Sequence, residues 1–219
     1  MTTITAQMIK ELRELTGAPM GDCKKALQET GGAQDKALEY LQKKSLATAT
    51  KKSGRTAVEG RVSSYVHHDG KLAVLIEVNC ESDFVANTPE FDELVRSLAM
   101  QIAAMSPKYV RREEIPADVM ERQRGIFEAQ VREMGKPEAL VPKIAEGKLN
   151  AWFGDVCLLD QAYVKDEKGM AVSKFLAERV AKTGENIVVR RFVRYELGEG
   201  MEKKVDDFVA EVERMTAQA

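Results

Sequence analysis

Two alternating segments joined by a turn constrain the fold of this chain more than any other feature of its sequence. From Val58 to Val66, and again from Leu72 to Val78, apolar residues recur at even-numbered positions. Such alternation is typical of half-buried β-strands. Between the segments, Asp69-Gly70 suits the positive φ angles of a two-residue turn. The sequence therefore predicts an antiparallel hairpin.

A third strand is predicted from Ile187 to Leu197. Its inward series is Ile187, Val189, Val193, Tyr195 and Leu197, with polar residues on a wet face and Arg191 breaking the series. Apolar residues at helical spacing predict four helices before this strand, at about 88–106, 116–134, 138–153 and 172–182, and Met105 is placed on the inward stripe of the first. The predicted class is α+β, with a three-stranded antiparallel sheet packed with helices.

Three short helices are predicted within residues 5–43. The first follows the N-cap Thr5 and carries an apolar stripe that includes Leu12 and Leu15; the second starts near Pro19 and ends at Gly31-Gly32. Three helices in about forty residues bury only a small core, which favours a docking module. Residues 1–54 hold nine Lys+Arg and six Asp+Glu, a net charge of +3.

Changes in composition suggest three parts. Residues 43–54, KKSLATATKKSG, are poor in large apolar residues, and we interpret them as a linker, helical or mobile, outside the core. The expected division is a docking module with its linker at 1–54, an α+β core domain at 55–198 and a C-terminal helical module at 199–219. The last part carries an amphipathic helix on Val205, Phe208, Val209, Val212 and Met215.

Overall composition narrows the class of protein. The formal net charge is −2, with 31% charged and 44% hydrophobic residues, which disfavours a strongly basic nucleic-acid binder. No apolar run approaches the ~20 residues that span a bilayer, and the first residues lack a secretion pattern, so we expect a cytoplasmic protein without a membrane partner. The three distant cysteines, Cys23, Cys80 and Cys157, are interpreted as reduced, mostly buried thiols.

Residues for catalysis or metal binding are scarce. The only histidines, His67 and His68, are neighbours at a strand end, where their side chains should point to opposite faces and not share a metal. If His67 faces Leu72, Cys80 lies eight residues further on, about 26 Å away at ~3.3 Å per residue, which excludes a dyad. Phosphate-binding and hydrolase motifs are absent from the sequence. We expect no cofactor, no metal and no bound nucleotide.

Two stretches look unlike plain packing. Residues 12–27, LRELTGAPMGDCKKAL, expose a bend at Ala18, Pro19 and Met20; Met20 could be an adaptable contact, although core filling is the favoured interpretation of that residue alone. Residues 77–87, EVNCESDFVAN, place Phe84 beside carboxylates in a loop. For Phe84, packing onto the next helix is favoured over an external role.

Together these stretches strongly resemble the two signatures of the bacterial elongation factor Ts family. Ser82 stands where the family usually has Thr, which keeps the hydroxyl and loses one methyl. The resemblance continues through SYVHHDGKLAVLIEVN, the GKP of residues 135–137, IAEGKLNAWFGDVCLLDQAYVKD and GENIVVRRFVRYELGEG, and so spans nearly the whole chain in order. It implies a UBA-like N-terminal module.

The resemblance implies a guanine-nucleotide exchange factor for the GTPase elongation factor Tu, and not an enzyme with its own active site. Ser82, Asp83, Phe84 and Val85 would then enter the GTPase near its Mg²⁺ and GDP. N-terminal docking would use Leu12, Arg13, Thr16, Gly17, Ala18, Met20, Asp22 and Lys24, and the core contact would include His67 and His68. The alternative, without the resemblance, is a ribosome- or RNA-associated adaptor; the near-neutral charge counts against direct nucleic-acid binding.

The predicted sheet also suggests an assembly. A three-stranded sheet covered by helices on one face leaves the other face open, and an open apolar face favours an interface. The chain resembles the short form of the family, which has one hairpin-bearing subdomain. We therefore expect a homodimer with the 187–197 strand near the interface.

Overall fold

The structure is a computed structural model that describes residues 4–201. Its helices are α1 (Ala6–Thr16), α2 (Met20–Glu29), α3 (Gln34–Lys52), α4 (Asp83–Ala86), α5 (Pro89–Met105), α6 (Ala117–Glu133), α7 (Val141–Val156) and α8 (Val172–Thr183). Its strands are β1 (Glu59–Val66), β2 (Leu72–Cys80) and β3 (Val188–Glu196). This confirms the predicted α+β class. The predicted C-terminal helix lies outside the described residues.

The three N-terminal helices form a small bundle around Leu12, Cys23, Ala26, Leu27, Ala37 and Leu41. The Thr5 side chain caps α1, as predicted, and α1 ends at Gly17 with φ 65°. Pro19 is the N-cap of α2, and α2 already ends at Glu29. Leu15 is exposed, so its predicted place on the inward stripe is wrong. It lies instead at the edge of a cleft towards α8.

Residues 43–52 are not a separate linker. They continue α3, whose C-terminal half packs against α8. Ala49 contacts the main core, which is the buried cluster between the sheet, α5 and α8. The interpretation of this stretch as lying outside the core is therefore wrong for Ala49. Its small side chains, which resemble a linker in composition, instead let α3 approach α8 closely.

The hairpin and the third strand form an antiparallel sheet in the order β1-β2-β3. His67 faces Leu72, as predicted: the His67 N–H donates to the Leu72 carbonyl. The connection is longer than the predicted two residues, however, because the Gly70 N–H turns back to the His67 carbonyl and the Asp69 carboxylate accepts from the Lys71 N–H. Gly70 alone of the pair takes a positive φ, 69°.

A β-bulge changes which side chains of β3 face the core. The register between β2 and β3 shifts at Glu77/Val78, so that Glu77 pairs with Arg191 while Val78 pairs with Val189, leaving Arg190 as an extra residue. Before this bulge, Ile187 and Val189 are buried. Beyond it the inward side passes to Phe192, which packs on the core. The predicted inward placement of Val193, Tyr195 and Leu197 is therefore wrong.

One face of the sheet is covered by helices. Val74, Ile76 and Val78 of β2 share one buried core with residues of α5 and α8 such as Leu98 and Phe175, and β2 packs directly on α5. Odd-numbered residues of β1 share this face: Tyr65 packs on the core, and the Arg61 guanidinium contacts Asp92 of α5 at 2.6 Å. The even-numbered apolar residues of β1 therefore lie on the opposite face.

The opposite face of the sheet exposes apolar residues of all three strands, together with the Glu77–Arg191 ion pair, which the register places in line with Val62. Its exposed apolar residues are Val62, Val66, Leu75, Val193, Tyr195 and Leu197. The register brings them together, because Val66 pairs with Ala73 and Ala73 with Tyr195. We call these six residues the outer sheet face.

The remaining helices complete the core domain. α6 and α7 pack on each other through Leu149, Phe153 and Phe127. Residues 138–140 form a 3₁₀ turn, so α7 begins at Val141 and not at Glu138 as predicted. α5 has the predicted Thr88 N-cap, but Met105 in its last turn is exposed and not inward. No helix within residues 4–201 has the length and apolar content needed to cross a membrane.

Candidate functional site

The loop between β2 and α5 presents an exposed phenylalanine. Ser82 caps the four-residue helix α4, where its hydroxyl accepts from the Val85 N–H at 3.4 Å. Phe84 on this helix is 83% exposed, whereas Phe91, seven residues later, is 2% exposed. The expectation that Phe84 packs onto the next helix is therefore wrong. We call residues 82–85 the Phe84 loop.

A carboxylate after α8 holds the Phe84 loop. Glu185 Oε2 accepts from the backbone N–H of Glu81 at 3.2 Å and of Ser82 at 3.0 Å, and Oε1 accepts from the Ser82 hydroxyl at 2.6 Å. In return, Glu81 Oε1 accepts from the Asn186 N–H at 2.6 Å. The two segments thus bind each other through a pair of carboxylates.

The same region reaches the N-terminal module. Asn186 Nδ2 donates to the Arg55 carbonyl at 2.8 Å, and the Arg55 guanidinium lies 3.6 Å from Glu81. Lys52 Nζ donates to the Gly184 carbonyl. The end of α3, the end of α8 and the start of the Phe84 loop therefore meet at one place.

A thiol lies behind the loop. Cys80 Sγ donates to the Ser82 carbonyl at 3.1 Å, and burial, followed by the negative charge of Glu185, raises the pKa of the Cys80 thiol. The thiol stays protonated at neutral pH, so it acts here as a donor that fixes the loop and not as a nucleophile.

An apolar pocket opens beside the Phe84 loop. It has a volume of about 200 Å³ and is lined by Val85, Thr88, Glu90, Phe91, Leu94, Arg179, Lys182, Thr183 and Ile187. The surface here therefore has an exposed apolar side chain, Phe84, beside an apolar depression.

The bend between α1 and α2 is the second exposed feature. Met20, the first residue of α2, is 57% exposed, so core filling is the wrong interpretation of this residue. The Thr16 hydroxyl donates to the Leu12 carbonyl at 2.6 Å and accepts from the Ala18 N–H at 3.2 Å. We call residues 16–20 the Met20 bend.

The other predicted docking residues divide into two groups. Arg13 and Lys24 are exposed, and Asp22 forms an ion pair with Lys44 of α3. Leu12 is fully buried in the N-terminal core. Leu12 therefore supports the bend from below and has no surface with which to contact a partner.

Lys182, near the end of α8, lines two cavities, one beside the Met20 bend and one beside the Phe84 loop. Gly17 and Ala18 line a cleft of about 860 Å³ whose far wall includes Lys182 and Gly184. Lys182 also lines the apolar pocket beside Val85. The structure therefore places parts of both predicted contact segments near the same end of α8.

The histidine pair lies elsewhere. His67 and His68 follow β1 at the hairpin turn, and nine-residue β2 separates the turn from the Phe84 loop by about 26 Å at ~3.3 Å per residue. Their ring centroids are 4.2 Å apart, because His67 is already outside the strand and strand alternation does not apply to it. His67 Nδ1 lies 3.0 Å from the Tyr65 hydroxyl. Within residues 4–201, no three His, Cys, Asp or Glu side chains cluster as a metal site requires.

Sequence reasoning assigned no role to Glu185, Asn186 or Lys182. Glu185 and Asn186 follow the Gly184 that ends α8, and a polar pair after a helix stop gives no signal of its own. Their partners lie about one hundred residues earlier in the chain, which only the fold reveals.

Comparisons with known proteins give one consistent result. Residues 2–199 match the family described as Elongation factor TS. Elongation factor Ts of Geobacter metallireducens is 57% identical over 210 residues, which are 96% of this chain and 97% of that protein. Elongation factor Ts of Geobacter sp. strain M21 is 52% identical over 99% of this chain and 100% of its own length. Elongation factor Ts of Myxococcus xanthus is 53% identical over the whole length of both chains.

Proposed function

The chain belongs to the elongation factor Ts family of translation elongation factors, and we propose that it is a guanine-nucleotide exchange factor for elongation factor Tu. It acts in the cytoplasm, where it binds the GDP form of this GTPase and promotes release of GDP. The exposure of Phe84 on an anchored loop is the observation that carries the proposal.

An exposed phenylalanine is informative because water disfavours its apolar surface. Burying such a side chain on binding gains roughly 1.5–3 kcal/mol. A four-residue helix is too short to hold its own shape, yet α4 is fixed by the Ser82 cap and by Glu185. The Phe84 ring is thus presented in a defined position and is available to a partner.

A positioned ring is sufficient to expel a nucleotide. GDP is held in a GTPase by backbone amides of the phosphate loop and by Mg²⁺. A side chain inserted near them displaces an amide or the metal, and each ~1.4 kcal/mol lost weakens GDP binding tenfold. Asp83, next to Phe84, adds a negative charge that disfavours the phosphates. Because this action requires only binding, the chain needs no catalytic group or cofactor of its own.

The Met20 bend acts as a tether. Like the Phe84 loop, it lies near the end of α8, where Lys182 lines a cavity beside each of them. A contact made by the bend raises the effective concentration of the loop at the nucleotide site. In this division, residues 1–54 dock and residues 55–198 form the core that carries the loop. His67 and His68 contact the partner at a second place, about the length of β2 away.

The outer sheet face supports a homodimer. It presents five exposed apolar residues on three paired strands and a sixth, Leu197, directly after β3, more than scattered surface residues would give. Two-fold pairing of two such faces covers both at once. Light scattering should give about twice 24.4 kDa, and Leu75→Lys, which places a charge in the centre of the face, should halve that mass. A wild-type mass of 24.4 kDa would contradict the dimer.

Release of fluorescent GDP from elongation factor Tu tests the exchange activity. Adding this protein to the preloaded GTPase with excess unlabelled GDP should accelerate loss of the label. Phe84→Ala should remove most of the acceleration, whereas Met134→Ala, at an exposed methionine after α6, should keep it. An unchanged release rate with the wild-type protein would favour the adaptor alternative, which RNA or ribosome binding would then test.

A further inference from the structure

We propose that Glu185 is a positioning residue for exchange, which holds the Phe84 loop in the conformation that enters the partner. The inference rests on the proposed function, because it assigns a purpose to the loop that Glu185 binds. Glu185 itself lies after α8 and need not contact the GTPase.

The carboxylate serves three donors of the loop at once. Oε2 accepts from the Glu81 and Ser82 amides, at 3.2 and 3.0 Å, and Oε1 accepts from the Ser82 hydroxyl at 2.6 Å. Hydrogen bonds to an ionised acceptor are shorter and about twice as strong as neutral ones. One side chain therefore fixes both the backbone and the side chain of Ser82, the N-cap of α4.

The Ser82 hydroxyl transmits this constraint to α4. A hydroxyl has one hydrogen and two lone pairs. Since the hydrogen points to Glu185, the lone pairs remain for the Val85 N–H, which lies 3.4 Å from the Ser82 oxygen. The same oxygen is the N-cap of α4, the helix that carries Phe84. Glu185 thus sets the direction of Phe84 through one intermediate residue.

Glu185 is itself held in place. Gly184 ends α8 in the left-handed conformation, with φ 77°, and the Glu185 N–H donates to the Thr183 hydroxyl at 3.3 Å. The Asn186 N–H donates to Glu81, and the Asn186 amide donates to the Arg55 carbonyl. The anchor therefore belongs to a rigid turn and not to a freely moving side chain.

A fixed loop favours exchange because a partner then need not order it. When a mobile aromatic side chain binds, part of the binding free energy is lost because the side chain must be immobilised. Without Glu185, the amides of Glu81 and Ser82 would turn to water, and α4 would populate other conformations. The rate at which the bound factor expels GDP should fall more than its affinity for the GTPase.

The test compares Glu185→Ala with Glu167→Gln, the loss of an exposed carboxylate in the turn before α8. The measured quantities are the maximal rate of fluorescent GDP release at saturating factor and the half-saturating concentration. Glu185→Ala should lower the maximal rate about tenfold, the equivalent of ~1.4 kcal/mol, and change half-saturation less than threefold. Glu167→Gln should leave both unchanged.

Two further variants separate positioning from general stability. Ser82→Ala should lower the rate as Glu185→Ala does, and Ser82→Thr, which keeps the hydroxyl, should restore it. In a Phe84→Ala background, Glu185→Ala should have no further effect, because the residue on which it acts is gone. The inference would be overturned if Glu185→Ala lowered the maximal rate by the same factor in the wild-type and the Phe84→Ala protein. A Ser82→Ala protein with the wild-type rate would also overturn it. If Glu185→Ala fails to fold, Glu185→Gln replaces it: this variant loses the negative charge and one of the two acceptor oxygens, and should lower the maximal rate in the same direction, while an unchanged rate would overturn the inference.

Amide hydrogen exchange tests the anchor without the partner. The amides of Ser82 and Val85 should exchange slowly in the wild-type protein. The Val85 amide should exchange at least about tenfold faster in Ser82→Ala, and the Ser82 amide at least about tenfold faster in Glu185→Ala. If the wild-type protein fails to accelerate GDP release but these amides behave as expected, the proposed function fails and the anchor stands. Amides that exchange equally fast in all variants would overturn the anchor itself.

Discussion

The Phe84 loop and the Met20 bend both expose an apolar side chain at the start of a helix, yet they are supported differently. The loop is fixed to the main core by the Glu185 carboxylate. The bend is held by the Thr16 hydroxyl and rests on a cluster of six buried residues. A firmly supported side chain can deform a partner, whereas a side chain on a small core can adapt to one. We therefore assign exchange to the loop and tethering to the bend.

Phe84→Ala should have the largest effect. Loss of an interface hot spot of ~2 kcal/mol lowers a rate about thirtyfold, and we expect this loss in the maximal rate of GDP release. Affinity for the nucleotide-free GTPase should fall much less, because the tethers remain. Stopped-flow release and a binding titration measure the two quantities.

Thermal melting is the control for Phe84→Ala. An 83% exposed side chain contributes little to folding, so the melting temperature should stay the same. A melting temperature lowered by several degrees would show that Phe84 supports the fold. Equal losses of rate and affinity would contradict its distinct role.

Deletion of residues 1–54 should have the next largest effect. The remaining chain should fold, because the main core lies between the sheet, α5 and α8, and should need at least about tenfold more protein for half-maximal exchange. At saturation, the maximal rate should approach that of the full chain. Because α3 packs on α8, a truncated chain that aggregates or melts without cooperativity would show that the domain boundary is misplaced.

Met20→Ala should have a smaller effect of the same kind. Loss of ~1 kcal/mol at an adaptable contact raises the half-saturating concentration about fivefold and leaves the maximal rate unchanged. Titration of the factor against fluorescent GDP release resolves both parameters. A reduced maximal rate with unchanged half-saturation would give Met20 the role that we assign to Phe84.

The smallest expected effect is a difference in alkylation rate between two cysteines of the protein without its partner. Cys23 lies in the N-terminal core and Cys80 in the main core, and burial raises the pKa of both thiols. Labelling then requires local opening, which a six-residue cluster permits more readily. Cys23 should react several-fold faster than Cys80 in a timed alkylation followed by mass spectrometry. Equal rates would show that the two regions open together.

Regular elements could be predicted from local pattern. Thr88 and Pro89 mark the start of α5, and Thr183-Gly184 marks the end of α8, because caps and stop signals act on neighbouring backbone groups. Likewise, the alternation around Asp69-Gly70 was sufficient for the hairpin.

The direction of side chains was harder to predict. Alternation identifies a strand without saying which face meets the core. The bulge at Arg190, the third residue of β3, also changes which later side chains of that strand face the core. Arg191, which interrupts the apolar series, was the local signal for that bulge. The outer sheet face consequently carries Val193 and Tyr195, which the sequence placed inward.

The candidate site could be predicted only in part. The signature residues around Phe84 and Met20 point to contact segments through their resemblance to a family, but exposure of Phe84 beside burial of Phe91 depends on tertiary packing. Glu185 acts on Ser82 across 103 residues of sequence. A hydrogen bond between residues so far apart has no periodicity or motif by which to find it.

Reciprocal binding tests the central claim most directly, that this protein and GDP oppose each other on elongation factor Tu. Titration calorimetry gives the affinity of the protein for the nucleotide-free and the GDP-bound GTPase, and a fluorescence titration gives the affinity of GDP with and without saturating protein. We predict tighter binding to the nucleotide-free form, by the same factor by which the protein weakens GDP. Equal affinity for the two forms of the GTPase would contradict the account.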